Sequence, residues 1–237
     1  MRALLTRNSS MLPVALALSV SFQFGMLLTV HAQEPVFDPD DVVHLLQEPR
    51  HRIVQRDGGV FLLDVQINPG DVSYPHTHNQ PILLTYISDA AGPRGGEVVS
   101  RTDYASKPLT HVVANEGPGL RHIMAMVNDN PGVASNNQDQ PSGVDADPVI
   151  ENPWFRAYRL ELRPGEATGQ QTHLNPTAII LGSEGVVQVT RPDGIRHELD
   201  QPGDWAWRSA NTTFSIRNVG DTTCTVVINE SRRPISP

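Results

Sequence analysis

The chain has 237 residues, enough for one large domain or two of about 100 residues each. Its 26 acidic and 18 basic side chains give a formal charge of -8, which argues against a nucleic-acid partner. A single cysteine excludes an internal disulfide framework and a zinc-type cysteine cluster, while 18 Gly and 20 Pro point to many short strands joined by turns.

In chain order, residues 1–32 read as a targeting segment: Arg2 and Arg7, an apolar run from Leu12 to Val30, then "VHA". This is the pattern of a secretory signal cleaved after Ala32, so the mature protein is expected to be secreted or periplasmic and free of the membrane. Pro13, Gln23 and several serines weigh against a retained span. Losing two arginines and no acid moves the formal charge from -8 to -10. Residues 33–54 form an arm in which "FDPDDVVHLLQEP" predicts a short helix, with Asp38 as N-cap, Pro39 at the first helical position and Pro49 as the stop.

From residue 55 to 129 the apolar runs are of strand length: "VFLLDVQI", "PILLTYI", "HVVAN" and "RHIMAMV". The turn-rich stretch around 130–149 contains little that could form a core and is expected to be a linker. Residues 150–237 carry a second series, "WFRAYRLEL", "TAIILG", "VVQVT", "TTFSIRN" and "CTVVINE". The fold class is therefore all-β, in two units.

The units resemble each other. Pro69, Gly70, His78 and Pro81 fall on Pro164, Gly165, His173 and Pro176 at an offset of 95, and "HVVANEG" (111–117) falls on "FSIRNVG" (214–220) at 103. The difference implies about eight extra residues in the second unit between these landmarks, and the pattern is that of a duplicated β unit.

Side chains at i and i+2 of a strand face the same way, so His76 and His78 point to one side of a sheet. Two ligands hold a metal weakly, and His111 on a later strand is the natural third. His44, His51, His122 and His197 are expected to be solvated or locally satisfied. Asp64, Tyr74, Tyr86 and Arg121 are candidates to line a pocket, Cys224 reads as a small buried hydrophobe, and Trp205 and Trp207 read as packing or interface residues. No phosphate loop or nucleophile elbow is present, so hydrolysis by a serine triad is unsupported.

Gly70, five residues, His76 and His78, followed by His111 with Asn115 four positions on, resembles the two motifs of the cupins. The resemblance extends over 55–129 and 150–232 and implies a bicupin, two double-stranded β-helix (jelly-roll) barrels in tandem. It departs from the family where a glutamate ligand is expected, since Ile82 or Leu83 stands there. A set of three neutral histidines resembles that of gentisate, diketone or thiol dioxygenases. This implies a mononuclear divalent metal, Fe(II) first with Mn, Ni or Zn as alternatives, and a small anionic substrate that chelates it. Gln80 and Asn115 are candidates for the shell behind the ligands.

In the second unit Gln171, His173 and Phe214 replace the triad and Asn218 is kept, so that site is expected to be degenerate. The rival readings are a non-catalytic binding or structural cupin and a metal-dependent isomerase or lyase. The sequence leaves monomer and homodimer both open.

Overall fold

The computed structural model describes residues 37–133 and 139–234. The segment read as a secretory signal lies outside the described residues. The first half contains β1 (Val43–His44), β2 (His51–Asp57), β3 (Val60–Ile67), β4 (His76–His78), β5 (Ile82–Asp89), β6 (Gly92–Arg101), β7 (Leu109–His111) and β8 (Arg121–Asn128). The second contains β9 (Ile150–Glu151), β10 (Phe155–Leu162), β11 (Gln171–His173), β12 (Thr177–Leu181) and β13 (Val187–Thr190). It continues with β14 (Arg196–Leu199), β15 (Trp205–Arg208), β16 (Thr212–Asn218) and β17 (Cys224–Ser231).

Each half is a two-sheet jelly roll. In the first, a five-stranded sheet ordered β2-β3-β8-β5-β6 faces the three-stranded sheet β1-β4-β7. In the second, β15-β12-β17-β10-β9 faces β11-β16-β13-β14. The large sheets are covered on both faces, which explains why their strands read as nearly continuous apolar runs. Along β3, Leu63, Val65 and Ile67 face the first barrel's interior. Val60 and Leu62 face the other way, with Leu83, Met124 and Met126, into a core shared with Phe155, Ala157, Ala178, Ile180 and Val227.

The two barrels therefore pack back to back through their large sheets. Trp205 and Trp207 border this shared core, as the sequence suggested, and Trp207 Nε1 donates to Asp57 Oδ2 at 3.3 Å. Asn229 Nδ2 donates across it to Thr85 Oγ1 at 2.8 Å. Gly96 and Gly182 meet backbone to backbone: a Cβ on Gly182 would lie 3.0 Å from the Cα of Gly96.

Two expectations change in detail. The arm is not one helix. Asp38 does cap a turn, accepting from the Asp40 N–H, but the 3-10 turn ends at Asp41. Val43 and His44 then pair in parallel with His76 and Thr77, and a second 3-10 turn spans Leu45–Gln47. The β-branched pair Val42–Val43 favours extension once a neighbouring strand offers hydrogen bonds, and Val43 N donates to Pro75 O at 3.0 Å. The described part of the stretch read as a linker is also built into the second barrel. Ser142 exchanges two backbone hydrogen bonds with Thr172, Val144 and Ala146 pack on the core, and Asp139 is buried. Its low apolar content misleads because polar contacts hold it.

Candidate metal centre

The turn Asn68–Pro69–Gly70 ends β3, with Gly70 at φ +83°, a conformation L side chains rarely adopt. Asn115 then fixes the return of the chain. Its Nδ2 donates to Ile67 O and to Gly119 O, both at 2.8 Å, and its Oδ1 accepts from Gly117 N at 3.3 Å. Asn115 thus staples a turn, and its side-chain bonds go to backbone groups rather than to an imidazole of the triad. Gln80 is also placed elsewhere, its Nε2 donating to Asp129 Oδ1 at 3.0 Å.

β4 lies between β1 and β7, with His76 directly opposite His111. Thr77, of opposite parity, turns away and bonds Thr110 at 2.8 Å. The three imidazoles converge. His76 Nε2 is 3.1 Å from His78 Nε2, which is 3.0 Å from His111 Nε2. Ligand atoms of all three residues lie within 4.8 Å of one another.

The His76 tautomer follows from its surroundings: Nδ1 lies 2.9 Å from Tyr74 O, a carbonyl that can only accept, so Nδ1 carries the proton and Nε2 keeps its lone pair. At a metal–nitrogen distance of about 2.1 Å, ligands at right angles stand about 3.0 Å apart and ligands at the tetrahedral angle about 3.4 Å. The two Nε2 separations match ligands at right angles, and the third pair lies within 4.8 Å. A divalent cation with imidazole affinity suits this donor set.

The centre keeps its histidines neutral. Burial pushes His78 down to about 3 and His111 to about 4, helped by the neighbouring imidazoles, and burial lowers His76 as well. Neutral imidazole is the ligating form.

A fourth histidine, read from the sequence as locally satisfied, stands beside the triad. His51 is buried, its ring centroid 4.6 Å from that of His76, and its Nδ1 is 2.5 Å from Glu48 Oε2. Glu48 also accepts from Arg50 N at 2.7 Å and from Tyr74 N at 3.2 Å. Burial works against its charge, but the His51 hydrogen bond, with those backbone donors, holds its carboxyl below the usual range. Burial likewise keeps His51 neutral. A carboxylate thus enters this region from the arm, two hydrogen bonds from the triad through Tyr74, while Ile82 takes the strand position where the resemblance called for one.

A cavity of about 210 Å³ adjoins the triad, walled by Val65, Ile67, Leu84 and Ile123 on the large sheet and by His78 and His111 on the small one. Tyr86 and Arg121 line it as expected. Tyr74 is exposed, and Asp64 bonds His122 Nε2 at 3.0 Å and pairs with Arg52, away from the cavity. Sequence reasoning missed Tyr104, whose ring lies 5.2 Å from that of His78, and Arg101. Arg101 was legible in principle, since it is paired with Ile82 and so shares the inward face of that residue.

In the second barrel Gln171 stands opposite Phe214, as His76 stands opposite His111. His173 stacks on Phe214 with centroids 5.0 Å apart and bonds Gln171 Oε1 at 3.1 Å and Glu230 Oε1 at 2.9 Å. Glu230 in turn binds Arg156 at 3.0 Å, and Asp139 bridges Arg156 and Arg232. This is the satisfied, buried histidine the sequence favoured, and the site is filled by ion pairs.

No family model and no curated protein matches the chain. Among solved structures it is similar to AerE from Microcystis aeruginosa, with TM-score 0.52 and 10% identity over 74% of this chain and 89% of that one. A cupin 2 conserved barrel domain protein from Leptotrichia buccalis matches with TM-score 0.46 and 7% identity, over 76% of this chain and 88% of that one. A cupin domain from Bordetella pertussis Tohama I matches with TM-score 0.33 and 20% identity, over 44% and 97%. The likeness to AerE is one of fold; this chain is all-β, two jelly-roll barrels, with a convergent histidine triad in the first.

Proposed function

We propose that the protein is an exported bicupin metalloenzyme whose first barrel holds one divalent metal ion, Fe(II) in our reading, through His76, His78 and His111. The reaction assigned is oxygenation of a small anionic substrate that chelates the metal. The observation that carries this is the pair of Nε2 separations, 3.1 and 3.0 Å, among three neutral imidazoles beside a cavity. When bound, a metal held by these three histidines would supply open positions for a chelating substrate and for O2. The chain's own residues do the rest. Tyr74 O orients His76, Glu48 orients His51 at the cavity wall, and the apolar wall of Val65, Ile67, Leu84 and Ile123 excludes water. Three neutral ligands leave the metal's charge uncompensated, which favours an anion. Export rests on the amino-terminal pattern of Arg2, Arg7 and the apolar run, and N-terminal sequencing of the exported protein should begin at Gln33.

The test is metal analysis of purified wild type and His111→Ala, followed by oxygen uptake across diketones, hydroxybenzoates and thiols. About one metal per chain in wild type and less than a tenth in the variant is expected. Equal metal content in the two proteins removes the site. Full metal content with no oxygen uptake leaves the centre but removes the oxygenase reading in favour of an isomerase, a lyase or a binding protein.

A further inference from the structure

The cavity beside the triad has an unusual charge balance. Among its lining residues are Arg101 and Arg121, three histidines and two tyrosines, and no aspartate or glutamate. Neither arginine side chain has a hydrogen bond or ion pair to any described residue, and Arg121 Nε is buried without an acceptor. Asp89 lies within the field of Arg121 but spends its own bonds on Arg94, at 2.5 Å, and on the Ala91 N–H, at 2.9 Å. By contrast, Arg156 and Arg232 in the second barrel are each paired with carboxylates. Arg101 is exposed and Arg121 half-buried, so water can meet the first, whereas the buried Nε of Arg121 against an apolar wall is unfavourable unless something anionic is meant to meet it.

Their places along the sheet separate them. Arg101 is opposite Ile82, which is opposite Val127, whereas Arg121 is opposite Ile67 at the other end of β8. The seven residues of β8 from Arg121 to Val127 span about 20 Å. His78 and His111 line the cavity from the facing sheet, and Tyr104, three residues past the end of β6, touches His78, so Arg101 belongs to the triad's end.

We propose that this cavity takes a small dicarboxylic acid with an apolar midsection, one carboxylate lying between Arg101 and the triad and the other held by Arg121. The assignment rests on the metal reading for the first carboxylate only. Arg121 acts on the second whether or not a metal is bound. Guanidinium and carboxylate match in planar, two-bond geometry, and an amide in place of the carboxylate loses both the charge and one acceptor. The apolar residues between the two ends suit a hydrocarbon or aromatic spacer.

The test is calorimetric titration of chelator-treated and Mn(II)-loaded protein with succinate, glutarate and phthalate, each against its monoamide, alongside metal analysis of every variant. In wild type at least one dicarboxylate should bind about tenfold or more tightly than its monoamide in both forms. Arg121→Gln should abolish that preference while keeping the wild-type metal content, and Arg121→Lys should restore part of it. Equal binding of acid and monoamide by wild type, or an undiminished preference in Arg121→Gln, overturns the proposal. If wild type holds no metal yet shows the preference and loses it in Arg121→Gln, the carboxylate site stands and the metal reading falls.

Discussion

The two barrels begin from the same frame and complete it in opposite ways. Gly70 and Gly165, at φ +83° and +78°, make the same turn, and Asn115 and Asn218 staple the same loop, each donating twice to backbone carbonyls. Beyond that frame the chains diverge. In the first barrel β5 and β6 are long and joined by a tight connection, and the small sheet ends at β7. In the second, β12 is short, and the chain folds into the extra hairpin β13–β14 before returning as β15. That hairpin sits beside β16, and its Val187, Val189 and Leu199 fill the interior. The offset change from 95 to 103 in the sequence is the trace of this hairpin. Where it is missing, a cavity with neutral histidines remains; where it is present, the equivalent place holds an ion-pair lattice. An open barrel retains room for a ligand, and a closed one spends its polar groups on one another.

The largest effect should come from breaking that lattice. Asp139→Ala takes its close carboxylate from Arg232, 2% exposed, and one of three carboxylates from Arg156, 0% exposed, and a buried pair broken on one side costs about 3–5 kcal/mol. Urea unfolding should show the loss. A change below about 1 kcal/mol would mean that water or another carboxylate takes over, and that the second barrel is less closed than its contacts indicate.

Acid separates the barrels by pH. In chelator-treated protein, His78 and His111 remain neutral down to about 3 and 4, whereas in the unfolded chain they take up protons near 6.5. The unfolded state therefore binds more protons as pH falls from about 6.5 to 4, and stability declines across that window. Asp139 behaves oppositely. Burial raises its pKa, but the Arg232 hydrogen bond and the charges of Arg156 and Arg232 outweigh it and hold it at about 2. Its contribution is intact above about 4 and is lost as pH falls towards 2. Thermal midpoints against pH should fall in two stages, with His78→Gln plus His111→Phe flattening the upper stage and Asp139→Ala the lower. A single stage unaffected by either variant breaks the comparison.

What the sequence revealed and what it hid divide along the same line. The triad was legible because strand parity is a rigid rule and because His76, His78 and His111 stand where Gln171, His173 and Phe214 stand in the copy. The placement of Trp205 and Trp207 was legible for a similar reason, as two apolar side chains of one parity beside a turn. His51 was not: it follows Pro49 and Arg50, and nothing local says that β2 begins there with an inward side chain. Glu48 and Asp139 were hidden more deeply, because part of what holds each buried carboxylate comes from far along the chain, Tyr74 for one and Arg232 for the other. Polar lattices leave no periodic signature.

The retained asparagines give a smaller and symmetrical effect. Asn115→Ala and Asn218→Ala each remove two side-chain donors and one acceptor from buried backbone groups, which should cost about 2–3 kcal/mol in either barrel. Metal content should change little in Asn115→Ala, because Asn115 holds the turn and touches no imidazole. A variant that keeps its stability and loses metal would return Asn115 to the shell behind the ligands.

The smallest effect concerns the seam that joins the two barrels. Trp207→Phe keeps an aromatic ring against the shared core and deletes the 3.3 Å bond to Asp57, a partner on the first barrel. A neutral donor to a part-buried carboxylate contributes about 1 kcal/mol, so the unfolding midpoint should shift by a few degrees at most. The shape of the transition carries more information than its position. Eleven buried side chains from both barrels form one core there, with Val60, Leu62 and Leu83 against Phe155, Ala178 and Val227 among them. Two barrels that share a core unfold together, so wild type and Trp207→Phe should each give one transition by both fluorescence and circular dichroism. Two separated transitions, the metal-sensitive one at lower denaturant, would show that the open barrel yields alone and that the closed one does not depend on it.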